Sequence, residues 1–265
     1  MARIKLVTWN INSIRARIDQ VGKLIEGDNP DVICFQETKV QDPMFPTEYF
    51  EERGFCHQAI AGQKSYNGVA IMSRLPLENI TRRDWCAKGD ARHIAARLPG
   101  GVTVHNFYVP AGGEVPDADV NDKFAHKLDF LDEMTDWSRD LPKDSKYILV
   151  GDLNIAPLET DVWSHKKLLK VISHTPLECE KMRVLMQAHD WCDVMRHFVP
   201  EPERLYSWWS YRAKDWRASD KGRRLDHIWA SPGLKDHMKD MAILEHARSW
   251  EKPSDHAPVM VEFTV

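Results

Sequence analysis

Tyr147-Ile148-Leu149-Val150-Gly151-Asp152-Leu153-Asn154 is an apolar run that ends in a carboxylate and an amide. A short apolar run bounded by polar groups reads as a buried strand. Three other stretches share this design. Ile4 to Trp9 leads into Asn10 and Asn12, Val32 to Phe35 leads into Gln36-Glu37, and Ser254-Asp255-His256 stands just before the apolar stretch Ala257 to Val261. A core has no use for so many acidic, amide and imidazole groups at strand ends, because burying each one unpaired costs roughly 2–7 kcal/mol. A metal-assisted attack on a phosphate does use them. A hard divalent cation takes oxygen ligands, and a positioned carboxylate can activate water.

Outward from these stretches the pattern continues. Strand-like runs recur at 3–9, 31–36, 68–73, 92–98, 102–109, 146–151, 225–230 and 257–264. Val120, Phe124, Leu128, Leu131 and Met134 are spaced as one face of an amphipathic helix. Ile14, Ile18, Val21 and Ile25 form a second such face, and residues 178–189 are a third helical candidate. Asn29-Pro30, Leu75-Pro76 and Pro99-Gly100-Gly101 punctuate between elements. Many strands with a few interposed helices predict an α/β fold in which sheet packs on sheet with helices outside. A chain of 265 residues suffices for one large domain or two small ones. No linker, repeat or low-complexity segment divides it, so 1–265 is read as a single domain.

The net charge of −4 argues against a general polyanion coat. DNA affinity would then rest on a local patch. Segment 206–224 supplies one: Tyr206, Trp208, Trp209, Tyr211 and Trp216 interleave with Arg212, Lys214, Arg217, Lys221, Arg223 and Arg224. From 212 to 224 six basic residues face two acidic ones, a local balance of +4. Aromatics among positive charges suit phosphate contact and stacking at an unstacked site. The plainer reading is a solvated charged loop over a Trp-rich core. Arg15, Arg17, Lys64 and Arg92 are further candidates for phosphate contact. The five cysteines are odd in number, scattered and without zinc spacing; they read as reduced thiols of a cytoplasmic protein. The N-terminus enters strand-like sequence without a signal peptide. No apolar run approaches the ~20 residues of a membrane span, so no membrane is expected as a partner.

Six short motifs carry a family resemblance. Thr8-Trp9-Asn10-Ile11-Asn12, Gln36-Glu37-Thr38-Lys39, Tyr108-Val109-Pro110-Ala111-Gly112, Gly151-Asp152-Leu153-Asn154, Leu225-Asp226-His227-Ile228 and Pro253-Ser254-Asp255-His256-Ala257-Pro258 resemble the motif series of the exonuclease III family of AP endonucleases. They stand in that family's order and span nearly the whole chain. The resemblance implies a four-layered α/β sandwich of two packed sheets flanked by helices, with the active site at one edge of the sheets. It also implies a monomeric, Mg²⁺-dependent (or Mn²⁺-dependent) phosphodiesterase acting on double-stranded DNA. Such an enzyme cleaves 5′ to abasic sites to leave a 3′-hydroxyl, and it trims and degrades 3′ ends.

Roles follow from the residues together with this resemblance. Glu37 is the candidate metal ligand; otherwise it is a surface residue at a strand end. Asp255 is a second ligand, direct or through water, and Asn10 holds a metal-bound water or a phosphate oxygen. Asp152 and Asn154 lie two apart and so point to one side of an extended segment. They hold the attacking water and count among the metal's neighbours; otherwise they form an Asx-turn. His256 serves a phosphoryl oxygen or takes a proton, with Asp226 orienting its ring. Tyr108 donates its hydroxyl to the leaving group or a nonbridging oxygen. Asn12, Arg15, Arg92, Arg212 and Arg217 are expected on the DNA. Arg223 stands where some relatives carry an aromatic, which leaves Trp216 and Trp208 as candidates for lining a pocket for the abasic sugar. Ala91 departs from a Glu-Gly-Arg pattern, and Asn12 replaces an Asp found in some relatives. The alternatives are another phosphodiesterase of the superfamily (a non-specific DNase, a sphingomyelinase, an inositol phosphatase) or an inactive DNA-binding protein. Tyr108 to Gly112 and the 206–224 loop weigh against the first, and the full set of core residues against the second.

Overall fold

A computed structural model describes residues 3–213 and 215–264. Among these residues two six-stranded sheets and a two-stranded ribbon form. The first sheet runs β13 (Met238–Ile243), β14 (Val259–Thr264), β1 (Arg3–Asn10), β2 (Val32–Gln36), β4 (Val69–Ser73), β3 (His57–Ala61). The second runs β5 (Glu78–Thr81), β6 (His93–Arg97), β7 (Val102–Tyr108), β8 (Lys146–Asp152), β12 (Asp226–Ala230), β9 (Cys192–Asp193). The ribbon pairs β10 (Trp208–Trp209) with β11 (Gly222–Arg223). Both sheets are mixed: β1 and β2 are parallel, as are β7 and β8, and the other pairs are antiparallel.

Side chains alternate between the two faces of a strand, and this period builds the layers. Ile4, Leu6, Val32 and Cys34 meet Val104, Ile148, Val150 and Ile228 in the core between the sheets. The opposite parity of the first sheet, Val7, Trp9, Ile33 and Phe35, packs on helix Ile18–Asp28 through Val21, Leu24 and Ile25. The opposite parity of the second, Phe107, Leu149 and Trp229, packs on helices Asp122–Asp140 and Pro176–Ala188 through Phe130, Leu131, Met182 and Leu185. The result is helices, sheet, sheet, helices, the four-layered α/β sandwich that was expected.

Continuing the inner parity of each strand to its end is informative. It passes through Asn10 on β1, Gln36 on β2, Asn106 and Tyr108 on β7, Asp152 on β8 and Asp226 on β12. Register brings these ends to one edge, with Asn10 opposite Gln36, Tyr108 opposite Asp152 and Asp226 opposite Asp152. Behind that edge two amides cross the gap. Gln36 Nε2 donates to Asn106 Oδ1 at 2.7 Å, and Asn106 Nδ2 donates to the Phe35 and Ala70 carbonyls.

All eight strand-like runs form strands. The strands that sequence did not reveal are β3, β5, β9, β13 and the ribbon. Wholly exposed β5 and mostly unburied β13 lack the apolar alternation that marks a strand bearing on the core. One helix boundary is corrected. Val120 does not belong to the amphipathic face: it is exposed and precedes the cap Asn121, whose side chain accepts from the Lys123 amide.

Gly151 sits where β7 and β8 approach closely, at φ +142°. A methyl group there would stand 1.9 Å from the Phe107 carbonyl oxygen. Gly151→Ala is therefore expected to cost at least about 2 kcal/mol. Urea unfolding would read this as a lowered midpoint; an unchanged midpoint would mean that the two strands separate there without penalty.

Candidate active site

The strand ends deliver their polar groups into one cavity of about 640 Å³. Glu37, Tyr108, Asp152, Asn154, Asp255 and His256 line it, with Trp208, Arg212, Arg223 and Leu225. Glu37 follows β2 at φ +52° and Asn154 follows β8 at φ +54°. Non-glycine residues at positive φ carry backbone strain that a surrounding structure must hold. Around Glu37 the holding bonds are backbone ones: Ser13 N donates to the Glu37 carbonyl at 2.7 Å, and Thr38 N donates to Gly68 O at 3.1 Å.

Asn10 joins the two sheets at the site. Its Nδ2 donates to Glu37 Oε1 at 3.0 Å and to Asp152 Oδ2 at 2.8 Å. Its oxygen accepts the Asn12 backbone N–H. The Tyr108 hydroxyl donates to the same Glu37 Oε1 at 2.8 Å, and Lys39 Nζ lies 2.7 Å from Oε2. Burial pushes the Glu37 carboxyl up, but Lys39 and the hydrogen bonds from Asn10 and Tyr108 outweigh it and hold the group below its ordinary value. Burial and then the Glu37 charge push the Tyr108 hydroxyl well above its ordinary value, so it stays a neutral donor.

Asp152 is buried and held at both oxygens. Oδ1 accepts the Asn154 backbone N–H at 3.0 Å, and Oδ2 accepts Asn154 Nδ2 at 3.1 Å. His256 Nε2 lies 3.7 Å from that same Oδ2. Its other nitrogen, Nδ1, meets Asp226 Oδ2 at 2.8 Å, and Asp226 Oδ2 also accepts from Ser207 Oγ at 2.6 Å. Burial lowers the His256 imidazole, but Asp226 and then Asp152 outweigh it and raise it to about 10. Burial raises the Asp152 carboxyl; His256 opposes that shift and Asp226 adds to it. Asp152, Asp226 and His256 could in distance terms hold a metal. A metal-bound histidine must be neutral, whereas the two carboxylates favour the protonated ring, which suits the trio to handling a proton. The oxygen set suited to a hard cation is Glu37, Asp152 and Asp255 with the Asn154 amide oxygen, all on the one cavity.

Asp255 is braced by Trp208 Nε1 at 2.9 Å and by Asn12 Nδ2 at 3.3 Å. Burial raises its carboxyl, but His256 and the Trp208 hydrogen bond outweigh it and hold the group below its ordinary value. Asn12 is itself tied to Lys39 Nζ at 2.6 Å, and Arg17 donates to its carbonyl and to the Tyr211 hydroxyl. Asn12 is thus a brace between two carboxylates. Lys39 was read as part of the Gln36–Lys39 motif and Tyr211 as one aromatic of the basic patch, but neither was given such a role, and Ser207 was marked only by lying between Tyr206 and Trp208.

The expected DNA contacts fare unevenly. Arg212 and Trp208 line the cavity, and so does Arg223. Arg15 is exposed on the short 3-10 helix Arg15–Arg17 after β1, and Arg217 is exposed with its guanidinium over Trp216. Arg92 is tied to Asp90 at 3.0 Å and to the Tyr108 carbonyl at 3.3 Å, and so braces the Tyr108 strand. Trp216 stands apart from the cavity. Its ring packs 5.0 Å from Trp209 in the cluster under the ribbon and does not line the cavity. Arg224 leaves the basic patch, since it is fully buried between Asp161 and Asp193. Lys214 lies outside the described residues.

Two outcomes follow from this geometry. The His256 value is raised from about 6.5 in an unfolded chain to about 10. Its stabilisation is thus complete below the unfolded value and is lost as pH rises toward the folded one. Asp226→Asn is expected to bring the imidazole titration down, followed by NMR, and the stability gap to the parent should narrow as pH rises through that window. A titration left in place would refute the pairing. Trp216→Ala should lower thermal stability through lost packing on Trp209, and leave the ratio of abasic to intact DNA cleavage where it was; a shifted ratio would return Trp216 to recognition.

The pattern of the endonuclease/exonuclease/phosphatase family matches residues 7–256. The exodeoxyribonuclease III of Haemophilus influenzae is 33% identical to this chain, over 98% of it and 100% of that protein. The solved AP endonuclease of Archaeoglobus fulgidus superposes with a TM-score of 0.92 at 32% identity, covering 99% of this chain and 100% of the other. The 3′ phosphatase NExo from Neisseria, solved with a product DNA hairpin, superposes with a TM-score of 0.91 at 33% identity and the same coverage. With this match over nearly its whole length, and with the motif residues gathered at one sheet edge, the chain belongs to the endonuclease/exonuclease/phosphatase family.

Proposed function

We propose that this chain is a DNA repair nuclease of the exonuclease III kind. It hydrolyses the phosphodiester 5′ to abasic sites and removes nucleotides and blocking groups from 3′ ends of double-stranded DNA. The observation that carries this reading is the Asp152 carboxylate, fixed by Asn10 and Asn154 and set 3.7 Å from the His256 imidazole. The named relatives are an exodeoxyribonuclease, an AP endonuclease and a 3′ phosphatase, which supports DNA as the substrate and 3′ ends and abasic sites as its features. Both sheets contribute to the site, so the proposed catalytic unit is the whole chain as one domain, acting as a monomer. The cysteines are unpaired, in keeping with a cytoplasmic setting.

In the proposed mechanism Asp152 orients a water and takes its proton, a task for which its raised carboxyl is suited. Asn154 keeps Asp152 aligned through two hydrogen bonds. The imidazolium of His256, oriented by Asp226, donates to a phosphoryl oxygen as charge builds there. Tyr108 supplies a neutral hydroxyl that can turn from Glu37 to the phosphate or its leaving oxygen. Glu37 and Asp255, with Asp152 and Asn154 nearby, would hold Mg²⁺ (or Mn²⁺), and Asn10 would set the spacing of the first of these to Asp152. A bound divalent ion supplies Lewis-acid neutralisation of the phosphate.

The testing experiment uses a duplex with one synthetic abasic site beside an intact duplex, with Mg²⁺, with Mn²⁺ and with chelator. Asp152→Asn should lower turnover by about 10²–10⁴ while DNA binding stays nearly intact; loss of binding in step with rate would reassign Asp152 to folding or phosphate contact. Glu37→Gln should weaken Mg²⁺ binding measured by calorimetry and slow cleavage, with partial rescue by excess Mg²⁺. A normal rate with unchanged Mg²⁺ dependence would remove Glu37 from the metal site.

A further inference from the structure

Arg223 differs from Arg224 and Arg196, which lie close to it in the fold. Arg224 is neutralised by Asp161 and Asp193, and Arg196 by Asp161. Arg223 has no carboxylate partner among the described residues. One nitrogen, Nη1, donates to Ser173 Oγ at 2.8 Å and to the Ile172 carbonyl at 3.2 Å. Its Nε is buried without a partner among the described residues. The guanidinium lies 5.3 Å from the centre of the Trp208 ring, and the side chain lines the catalytic cavity together with Ile172, Leu225 and Arg212. A half-buried cation that is fixed in place but not neutralised is a built receptor for an anion.

The proposed reaction defines what that anion would be. Water adds to phosphorus, the bond from phosphorus to O3′ breaks, and O3′ leaves with a proton. Whatever else is bonded to that phosphorus stays with it and must sit in the cavity. For an internal abasic site this is a sugar ring that is itself neutral, its next charge being the phosphodiester on its far, 3′ side. For a 3′-terminal phosphate it is a further anionic oxygen, and for a 3′-phosphoglycolate it is a carboxylate.

We infer that Arg223, braced by Ser173 and Trp208, makes this cavity select 3′-terminal blocking groups that carry their own negative charge over the neutral sugar of an abasic site. The inference rests on the nuclease reading above and names the substrate class within it. Arg212 adds a second positive charge on the same cavity, and an aromatic side chain at position 223 would offer a flat apolar surface instead.

The test compares three duplexes: a nick ending in a 3′-phosphate, a nick ending in a 3′-phosphoglycolate, and an internal tetrahydrofuran abasic site. For Arg223→Met the kcat/KM ratio of each charged end to the abasic site should fall about tenfold, the low end of a charge-assisted hydrogen bond. Arg223→Lys should restore part of it. The two charged arms separate phosphate from carboxylate recognition. A metal-free readout accompanies them: in chelator, the parent should bind a hairpin with a 3′-phosphate more tightly than one with a 3′-hydroxyl, and Arg223→Met should lose that difference. Unchanged ratios, or three rates falling in step with a lowered melting temperature, would show that Arg223 only braces residues 172–173 and would overturn the inference alone. A parent protein that cuts none of the three with Mg²⁺ would overturn the nuclease reading and the inference with it.

Discussion

Two hydrogen bonds between side-chain amides and acceptors on the facing sheet set the geometry on which the site depends. Gln36 Nε2 reaches Asn106 Oδ1 at 2.7 Å, and Asn10 Nδ2 reaches Asp152 Oδ2 at 2.8 Å. Apolar packing between sheets is non-directional and tolerates sliding; a buried amide does not, because a displaced partner leaves an unsatisfied group at a cost of about 1–3 kcal/mol. The aliphatic core holds the sheets together. The amides at its edge fix how they are aligned, and hence where Asp152 stands relative to Glu37.

The same edge concentrates negative charge. Glu37, Asp152, Asp226 and Asp255 would repel one another if each were bare. Each has its own counterweight instead: Lys39 on Glu37, His256 between Asp152 and Asp226, and the Trp208 and Asn12 donors on Asp255. Their partners move them in different directions: Glu37 and Asp255 are held below their ordinary values, while burial raises Asp152. Under the proposed function this suits Asp152 to the part of a base, while Asp226 holds the imidazole of His256. The loops lining the cavity share a further brace, since buried Lys127 pairs with Glu178 at 2.5 Å and donates to the Asn154 carbonyl at 2.8 Å. Glu178 in turn accepts from the Ser173 backbone, so the strand end at Asn154 and the segment at Ser173 are tied through one ion pair.

The arginines illustrate how little a residue count says about a surface. Segment 212–224 is strongly basic by composition. In space its charges are divided among a core ion-pair network at Arg224, a cation–π contact at Arg217, and the catalytic cavity at Arg212 and Arg223. Trp209 and Trp216 pack against each other at a tilt, while Trp208 turns to Asp255 and Arg223. The interleaved pattern thus serves the core and the cavity at once.

The strands facing the core were legible in the sequence because alternation and apolar runs are local signals with a period of two. The polar groups terminating those runs were legible for the same reason: Asn10, Glu37, Asp152 and Asp226 break a pattern that burial otherwise enforces. The family motifs added the roles. Edge strands such as β5 and β13 were not legible, because no buried face marks them. Nor could the sequence assign Arg92, Arg224 and Trp216 to bracing and packing, since their partners Tyr108, Asp161 and Trp209 are chosen by how loops fold over the sheets. Local periodicity determined which residues face inward and which strand ends carry chemistry. The pairing of those ends, the ownership of each charge and the unneutralised state of Arg223 were decided only by tertiary contacts between segments distant in the chain, where distance and burial, not spacing, set the energy.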